Sequence, residues 1–322
     1  MKFKKILELL DPLRSCKKYR IPTWQCPQFL FLLMGLIIIG VIIATYFIAI
    51  LKIGDPRMVS LFVLAVGGAL IVIDYIITNS FERIAEASRM KTEFISVVSH
   101  QLRSPLTNLR YSLELLISGK LGNKKKEKEY YKILEENTQR MGDLINDLLT
   151  VSRIETGRLS FKKEEISLVD LTKKIILKFK TLAEGVNVKI EFSAPKNLPK
   201  VLADSLWLEQ VVENLLDNAI RYIKNGGKVK IKLRPKNKKI YFEIQDNGVG
   251  IPKEEQKFIF QKFFRSRNVL KCQTEGSGLG LYITKQVLKL FGGEIWFKSE
   301  EGKGSTFSFS LPIKENKTKV QK

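Results

Sequence analysis

Residues 29–51, FLFLLMGLIIIGVIIATYFIAIL, run for 23 positions without a charge. As a helix rising ~1.5 Å per residue the stretch measures roughly 34 Å, enough to cross a hydrocarbon layer of about 30 Å. Its apolar core is too long for a cleavable secretion signal, and no small-residue cleavage site follows before Lys52. A membrane anchor is therefore expected.

A second candidate span, VSLFVLAVGGALIVIDYII at 59–77, is shorter and carries Asp74 near its end. Taken alone it also suits a buried soluble helix, but its closeness to the first span favours a membrane hairpin over 29–78. KIGDPRM between them holds the Gly and Pro of a turn. Two spans return both chain ends to one side. The basic arm 1–28 sets Lys2, Lys4, Lys5, Arg14, Lys17, Lys18 and Arg20 against Glu8 and Asp11, which makes that side cytoplasmic. The expected location is the cytoplasmic membrane, multi-pass.

The loop of about seven residues outside the membrane is too short to fold a ligand-binding domain. Ile77 and His100 stand 23 residues apart, leaving no room for a cytoplasmic sensor domain. A stimulus is thus expected inside the bilayer or through a membrane partner protein. Asp74 either faces such a partner or reaches interfacial water, and the second is favoured.

The formal net charge of +22 raises nucleic acid as a partner, but no helix-turn-helix, zinc-finger spacing or aromatic RNA-binding signature accompanies it. The juxtamembrane concentration of lysine suits anionic membrane lipids instead, and no direct nucleic-acid contact is expected. Cys16, Cys26 and Cys272 form neither a disulfide framework nor a metal spacing. Cys26, beside the membrane, is a candidate for acylation, though an inert thiol is the simpler expectation.

From 79 to 156 the texture is helical. Met90, Phe94, Val98, Leu102, Leu106, Leu109, Leu113 and Leu116 recur at spacings of three and four, with Ile84 ahead of them. After the break SGKLGNKKK a second helix carries Leu134, Met141 and Leu148 seven residues apart, joined by Leu144, Ile145 and Leu149. Two such helices cannot bury this stripe alone, whereas two hairpins from a homodimer can, as a four-helix bundle. After Thr156–Gly157 period-two alternation appears in NVKIEF, KVKIKL, KIYFEI and STFSFSL, with helical stretches at 168–183, 205–224 and 279–291. That mixture predicts an α+β sandwich over 157–313, a mostly antiparallel sheet with helices on one face, followed by a basic tail at 314–322.

His100 is the only histidine of the 322 residues. Helical spacing sets it with Arg103, Thr107 and Arg110 opposite the apolar stripe, where an exposed imidazole can act as a nucleophile. Pro105 removes a backbone hydrogen bond and should loosen the helix just beyond it. Asn214 and Asn218 lie four apart with Arg221 on the same face; an amide oxygen suits Mg²⁺ that shares phosphate oxygens, although a solvated face reads equally well. In QDNGVGIP, Asp246 ends a strand, and Gly248 and Gly250 let the backbone approach a flat ligand. Gly276, Gly278 and Gly280 precede an amphipathic helix, an arrangement that aims N–H groups at an anion. GKGSTF, at 302–307, is a third glycine turn. Each signal is weak alone.

Their order is not. SHQLRSPLT, NLLDNAIRY, DNGVGI, IFQKFFR and GSGLGL, in that sequence, resemble the phosphoacceptor motif and the N, G1, F and G2 boxes of membrane-bound sensor histidine kinases of two-component systems. The resemblance covers roughly residues 85–313. It implies two transmembrane helices, a dimeric four-helix bundle of the HisKA type and an ATP-binding sandwich of the GHKL (Bergerat) type. His100 would accept the γ-phosphoryl group of ATP. Asn218 would ligand Mg²⁺ and Asn214 would support it. Arg221 would contact phosphate, Tyr222 would line the adenine pocket and Asp246 would accept from the adenine amino group. Gly248, Gly250, Gly276, Gly278, Gly280 and Thr306 would shape the nucleotide site, with Phe260 and Arg265 ordering a lid at 263–278. A receiver-domain aspartate of a separate response regulator would be the phosphoryl acceptor.

Two positions depart from the pattern. Gln101 stands where an acid is usual; it can hold the imidazole by a hydrogen bond but cannot take its proton. Ser104 stands where Thr or Asn accompanies phosphatase activity. A catalytically silent membrane scaffold and an ATPase of the gyrase and Hsp90 type are the alternatives. The second usually carries a glutamate where this chain has Asn214.

Overall fold

The computed structural model describes residues 27–53, 55–119, 123–224, 226–266 and 276–313. The basic arm with Cys16 and Cys26, the lid centre with Cys272 and the tail 314–322 lie outside the described residues. The chain divides into two compact units, 1–98 and 99–322.

In the first unit, helix α1 (Pro27–Ile53) is followed by the opening part of α2 (Pro56–Ile117). Leu33–Lys52 and Pro56–Phe81 are each long and apolar enough to cross a membrane. Most of their apolar side chains are exposed, Leu36, Ile39, Leu61 and Leu64 among them. The residues that are covered fall on one stripe per helix: Ile38 and Ala49 on α1, Val59, Gly67 and Asp74 on α2. Gly67 permits close approach, since a Cβ there would lie 3.3 Å from Ile42 Cδ1. Asp74 is almost wholly covered rather than turned outward, contrary to expectation. The helical repeat puts it seven residues after Gly67 on the covered stripe, where it is 4% exposed and its Oδ1 has no hydrogen-bond partner.

In the second unit, the end of α2 and α3 (Lys124–Glu155) form the expected hairpin. Asn123 caps α3 by accepting from Lys125 N at 2.8 Å. The hairpin register is pinned by a polar pair: Asn108 Nδ2 donates to Oδ1 of the buried Asn137 at 3.3 Å, and Asn137 Nδ2 donates to the Ile133 carbonyl at 2.7 Å. Leu106, Leu113, Ile145 and Leu149 remain exposed, so one hairpin does not cover its own stripe. The helix α2 continues through Pro105. The proline supplies no N–H to the Gln101 carbonyl, so the turn that holds His100 and Gln101 is short of one bond.

The remainder is a two-layer sandwich. Its strands are β1 (Glu164–Ile166), β2 (Val188–Ser193), β3 (Val201–Ala203), β4 (Gly227–Lys236), β5 (Lys239–Asp246), β6 (Glu294–Glu300) and β7 (Gly304–Pro312). Its helices are α4 (Leu168–Gly185), α5 (Ser205–Arg221) and α6 (Gly280–Leu290). Five strands form a sheet in the order β2-β4-β5-β7-β6, and β1 pairs with β3. All pairings in the larger sheet are antiparallel except β2 with β4. The β6 strand and the two three-residue strands add to the four expected ones, and α5 stops at Arg221 rather than 224.

Alternation decides the core. Val229, Ile231 and Leu233, with Ile240, Phe242, Ile244, Phe307, Phe309 and Leu311, are buried on the helix side. Phe242 and Phe309 stack at 4.7 Å between centroids. Fully burying a side chain of this size contributes roughly 1.5–3 kcal/mol. Leu208, Val212, Leu215 and Ile220 of α5 and Ile283, Val287 and Leu288 of α6 supply the facing layer. Asp204 starts α5 by accepting from Leu206 N and Trp207 N at 3.0 and 3.3 Å.

Candidate active site

Period two carries Asp246 to the helix side of β5, in line with Ile240, Phe242 and Ile244 and at the point where the strand ends. Its carboxylate is 7% exposed, and one oxygen, Oδ1, accepts from both Gly248 N at 2.8 Å and Ser305 N at 3.2 Å. Burial outweighs these bonds and pushes its pKa up from 3.8 to about 6. The carboxyl is costly to keep charged and is held at the wall of the helix layer.

The loop after Asp246 is stitched to its neighbours by backbone. Val249 N donates to the Tyr222 carbonyl at the end of α5, at 3.0 Å, and Gly302 N donates to the Val249 carbonyl at 2.8 Å. Here the glycines have a packing reason. A Cβ on Gly248 would strike the Tyr222 carbonyl oxygen, and one on Gly250, at φ +65°, would strike that of Glu300. Both close approaches are to this chain's own backbone. Ser299 Oγ completes the knot by accepting from Ile251 N at 2.9 Å and sharing a hydrogen bond with Ser305 Oγ at 2.8 Å.

Thr306 requires correction. It pairs with Gln245 and Lys298 and lies on the opposite face of the sheet from Asp246. A one-residue step along a strand reverses the side, so Ser305, buried beside Asp246, occupies the position assigned to Thr306.

Along α5, Asn214, Asn218 and Tyr222 follow at four-residue steps, and all three are half-buried. Asn214 Nδ2 reaches the Gly280 carbonyl at 3.4 Å and Thr284 Oγ1 at 3.5 Å, joining α5 to the start of α6. A Cβ on Gly280 would sit 3.2 Å from Asn214 Oδ1. The helix α6 opens without a side-chain cap or an acidic residue in its first turn, so its positive end faces the same region as the asparagines. Arg221 Nε donates to Asp217 at 2.6 Å. Tyr222 caps α5, and burial raises the pKa of its phenol. The half-buried Arg265 has its pKa lowered by burial, next to the Tyr222 phenol and the Arg140 guanidinium.

The two stems of the lid meet at Phe263 and Gly278. Phe263 takes φ +60°, and a Cβ on Gly278 would lie 2.8 Å from the Phe263 carbonyl carbon. Phe260 is anchored edge-on to Phe297 of β6 at 5.9 Å, below the Lys285 ammonium. Gly276 is exposed with nothing near it, and residues 267–275 of the lid lie outside the described residues.

His100 is exposed on α2, as are Arg103, Ser104, Thr107 and Arg110. The Gln101 amide is able to hold an imidazole by a hydrogen bond. Instead its Nε2 donates to the Ser277 carbonyl at 3.3 Å. Ser277 Oγ in turn donates to Asp147 Oδ2 at 2.8 Å, and burial raises the pKa of Asp147 although the Ser277 bond works the other way. Asp147 was not among the expected site residues, because nothing in the spacing of α3 distinguishes it from other polar positions. A second link joins Lys262 to Glu155.

Comparison with known proteins agrees with this geometry. Residues 90–157 match the His Kinase A (phospho-acceptor) domain, and residues 203–315 match the histidine kinase-, DNA gyrase B- and HSP90-like ATPase domain. Together the two matches cover more than half of the chain. This chain belongs to the sensor histidine kinase family.

Among its relatives, the sensor histidine kinase WalK of Bacillus subtilis is 36% identical over 231 residues, which is 70% of this chain and 37% of WalK. The alginate biosynthesis sensor protein KinB of Pseudomonas aeruginosa is 32% identical over 250 residues, 77% of this chain and 40% of KinB. The chain thus spans well under half the length of these two relatives. Among solved structures, the Acinetobacter baumannii histidine kinase AdeS superposes with a TM-score of 0.55 at 25% identity, covering 67% of this chain and 98% of AdeS. The histidine kinase ThkA, solved in complex with the response regulator protein TrrA, shares the fold with a TM-score of 0.56 at 23% identity, over 71% of this chain and 63% of ThkA.

Proposed function

We propose that the chain is an ATP-dependent protein-histidine kinase that phosphorylates itself on His100 and passes the group to an aspartate of a response regulator. The observation that carries the reading is the pairing of an exposed histidine on a helical hairpin with a sandwich whose buried Asp246 faces the helix layer. Asp246, ringed by the Tyr222 and Ser305 segments, suits the amino group of adenine, a donor that an unpaired carboxylate oxygen recognises. The uncapped start of α6 and Arg265 suit the phosphates.

The donor set on α5 fits Mg²⁺: Asn218 offers a neutral hard oxygen in a half-buried position next to that helix end, with Asn214 alongside. The metal would neutralise phosphate charge during transfer. In the reaction a lone pair of the His100 imidazole attacks the γ-phosphorus. The bond to the β–γ bridging oxygen breaks and ADP leaves with its electron pair. The ring proton goes to water, since the Gln101 amide cannot accept it.

The uncovered stripe of Leu106, Leu113, Ile145 and Leu149 supports a homodimer that closes a four-helix bundle. The spans Leu33–Lys52 and Pro56–Phe81 support a multi-pass protein of the cytoplasmic membrane, with both ends and the catalytic parts on the cytoplasmic side and the stimulus acting in the bilayer, its lipids included, or through a membrane partner. The test is incubation of the full chain in lipid with γ-labelled ATP and Mg²⁺ beside His100→Ala. Acid-labile, base-stable label absent from the variant is expected. Intact ATP binding without label would replace the kinase with a scaffold, and ATP hydrolysis unaffected by His100→Ala would favour the gyrase-like ATPase.

A further inference from the structure

Ser277 is held from three directions. Its Oγ donates to Asp147 on α3 at 2.8 Å and accepts from Leu279 N at 3.2 Å, while its carbonyl accepts from Gln101 on α2 at 3.3 Å. It lies between Gly276 and Gly278, just ahead of the buried Leu279 that opens α6. That turn forms the phosphate end of the nucleotide site under the reading above. Gln101 directly follows His100, and consecutive Cα atoms are about 3.8 Å apart. The same side-chain grip therefore brings the phosphate end to the helical turn that carries the phosphoacceptor of the same chain.

The bundle side of the grip is built at a cost. Burying the Asp147 carboxylate is unfavourable, and the hydrogen bond from Ser277 offsets it. Two turns along α3, Glu155 pairs with Lys262 at the other stem of the lid, whose ammonium also lies 5.3 Å from the Tyr282 ring. Both stems are thus tied to one helix. The ties are few and made by side chains, so they can open again to uncover His100 for a second protein.

Resting on the kinase reading, we propose that Gln101 and Asp147 are positioning residues for phosphoryl transfer: by gripping Ser277 they seat the nucleotide site of each protomer on its own His100, so the group passes within one chain. Gln101 then replaces the family's acid not as a weaker base but as a donor that docks the lid. The transfer itself balances as written above, with the P–O bond to ADP broken and the P–N bond to imidazole formed.

The experiment uses the full chain in lipid nanodiscs, with two tags to isolate mixed dimers of His100→Ala and Asn218→Ala protomers. Transfer within the chain leaves such dimers unlabelled, because neither chain holds both the histidine and a working nucleotide site. Dimers of wild type with His100→Ala label the wild-type chain. Label on the Asn218→Ala chain of the mixed dimer overturns the proposal. A second arm measures the labelling rate at saturating ATP: Asp147→Ala and Gln101→Ala each slow it about tenfold, the effect of one charge-assisted or well-placed hydrogen bond, with the Kd for ATP unchanged. Asp147→Asn keeps the acceptor oxygen and retains most of the rate. Full rates in both alanine variants overturn the positioning roles. A wild-type dimer that binds ATP and never labels overturns the kinase reading first, and this inference with it.

Discussion

Replacing Asp246 with asparagine should make the second unit more stable at neutral pH while removing its hold on adenine. Burial raises the carboxyl from 3.8 to about 6, so the folded state binds this proton more tightly than the unfolded chain does. Between those two values the folded state carries the extra proton, and stability falls as pH rises through the window. Above about pH 6 the carboxylate is charged and the full penalty is present. The difference corresponds to roughly 3 kcal/mol. In Asp246→Asn the side-chain amide would keep an oxygen for Gly248 N and Ser305 N, so the change relieves the penalty without emptying the site of its hydrogen bonds. Melting of residues 79–322 at pH 7.5 and pH 5 measures this. In a unit of this size the variant should gain on the order of 5–10 °C at pH 7.5, and the gap should shrink to about half at pH 5. An equal gap at both pH values, or a variant that melts lower at pH 7.5, would refute the account of Asp246 as a desolvated acid.

The same carboxyl gives ATP binding a pH dependence of opposite sense. The adenine amino group needs the ionised form, so affinity should rise with pH through about 6 and flatten above it, as read by calorimetry. Gly248→Ala should cost about 2 kcal/mol or more and abolish nucleotide binding, because its Cβ meets the Tyr222 carbonyl; Gly276→Ala, with open space around it, should cost only backbone strain of about 1–2 kcal/mol. Asn108→Ala removes the donor to the buried Asn137 and should lower stability by about 1 kcal/mol in denaturant titration. Lys174→Ala should change it by less than about 1 kcal/mol, since the lysine of its pairing with Glu209 is 70% exposed.

How far the sequence could be read depended on the range of the interaction. Val229, Ile231 and Leu233 alternate with Lys228, Lys230 and Lys232, so β4 announces both its identity and its buried side. The segment Glu294–Glu300 lacks that contrast, its Ile, Trp and Phe being consecutive, and the three-residue strands are too short for any period. The parallel pairing of β2 with β4 depends on how the chain returns across the helix layer, which no local pattern records. At the proposed site, His100, Asn218 and Asp246 could be singled out from an ordered set of motifs. The partners of Gln101 and Asp147 could not, because Ser277 lies 176 and 130 positions away in the chain. Thr306 was misjudged for a smaller reason: one step along a strand changes the face, and the motif GKGSTF offers two adjacent hydroxyls.

Asp74 bears on how the hairpin reaches its place in a bilayer. A lone helix with this acid turned to lipid would face an insertion penalty of about 2.5–3.5 kcal/mol, whereas the covered stripe shields the carboxyl from acyl chains. If the two helices span a bilayer as proposed, the second would therefore insert more favourably beside α1 than alone, because the covered stripe spares the acid contact with lipid.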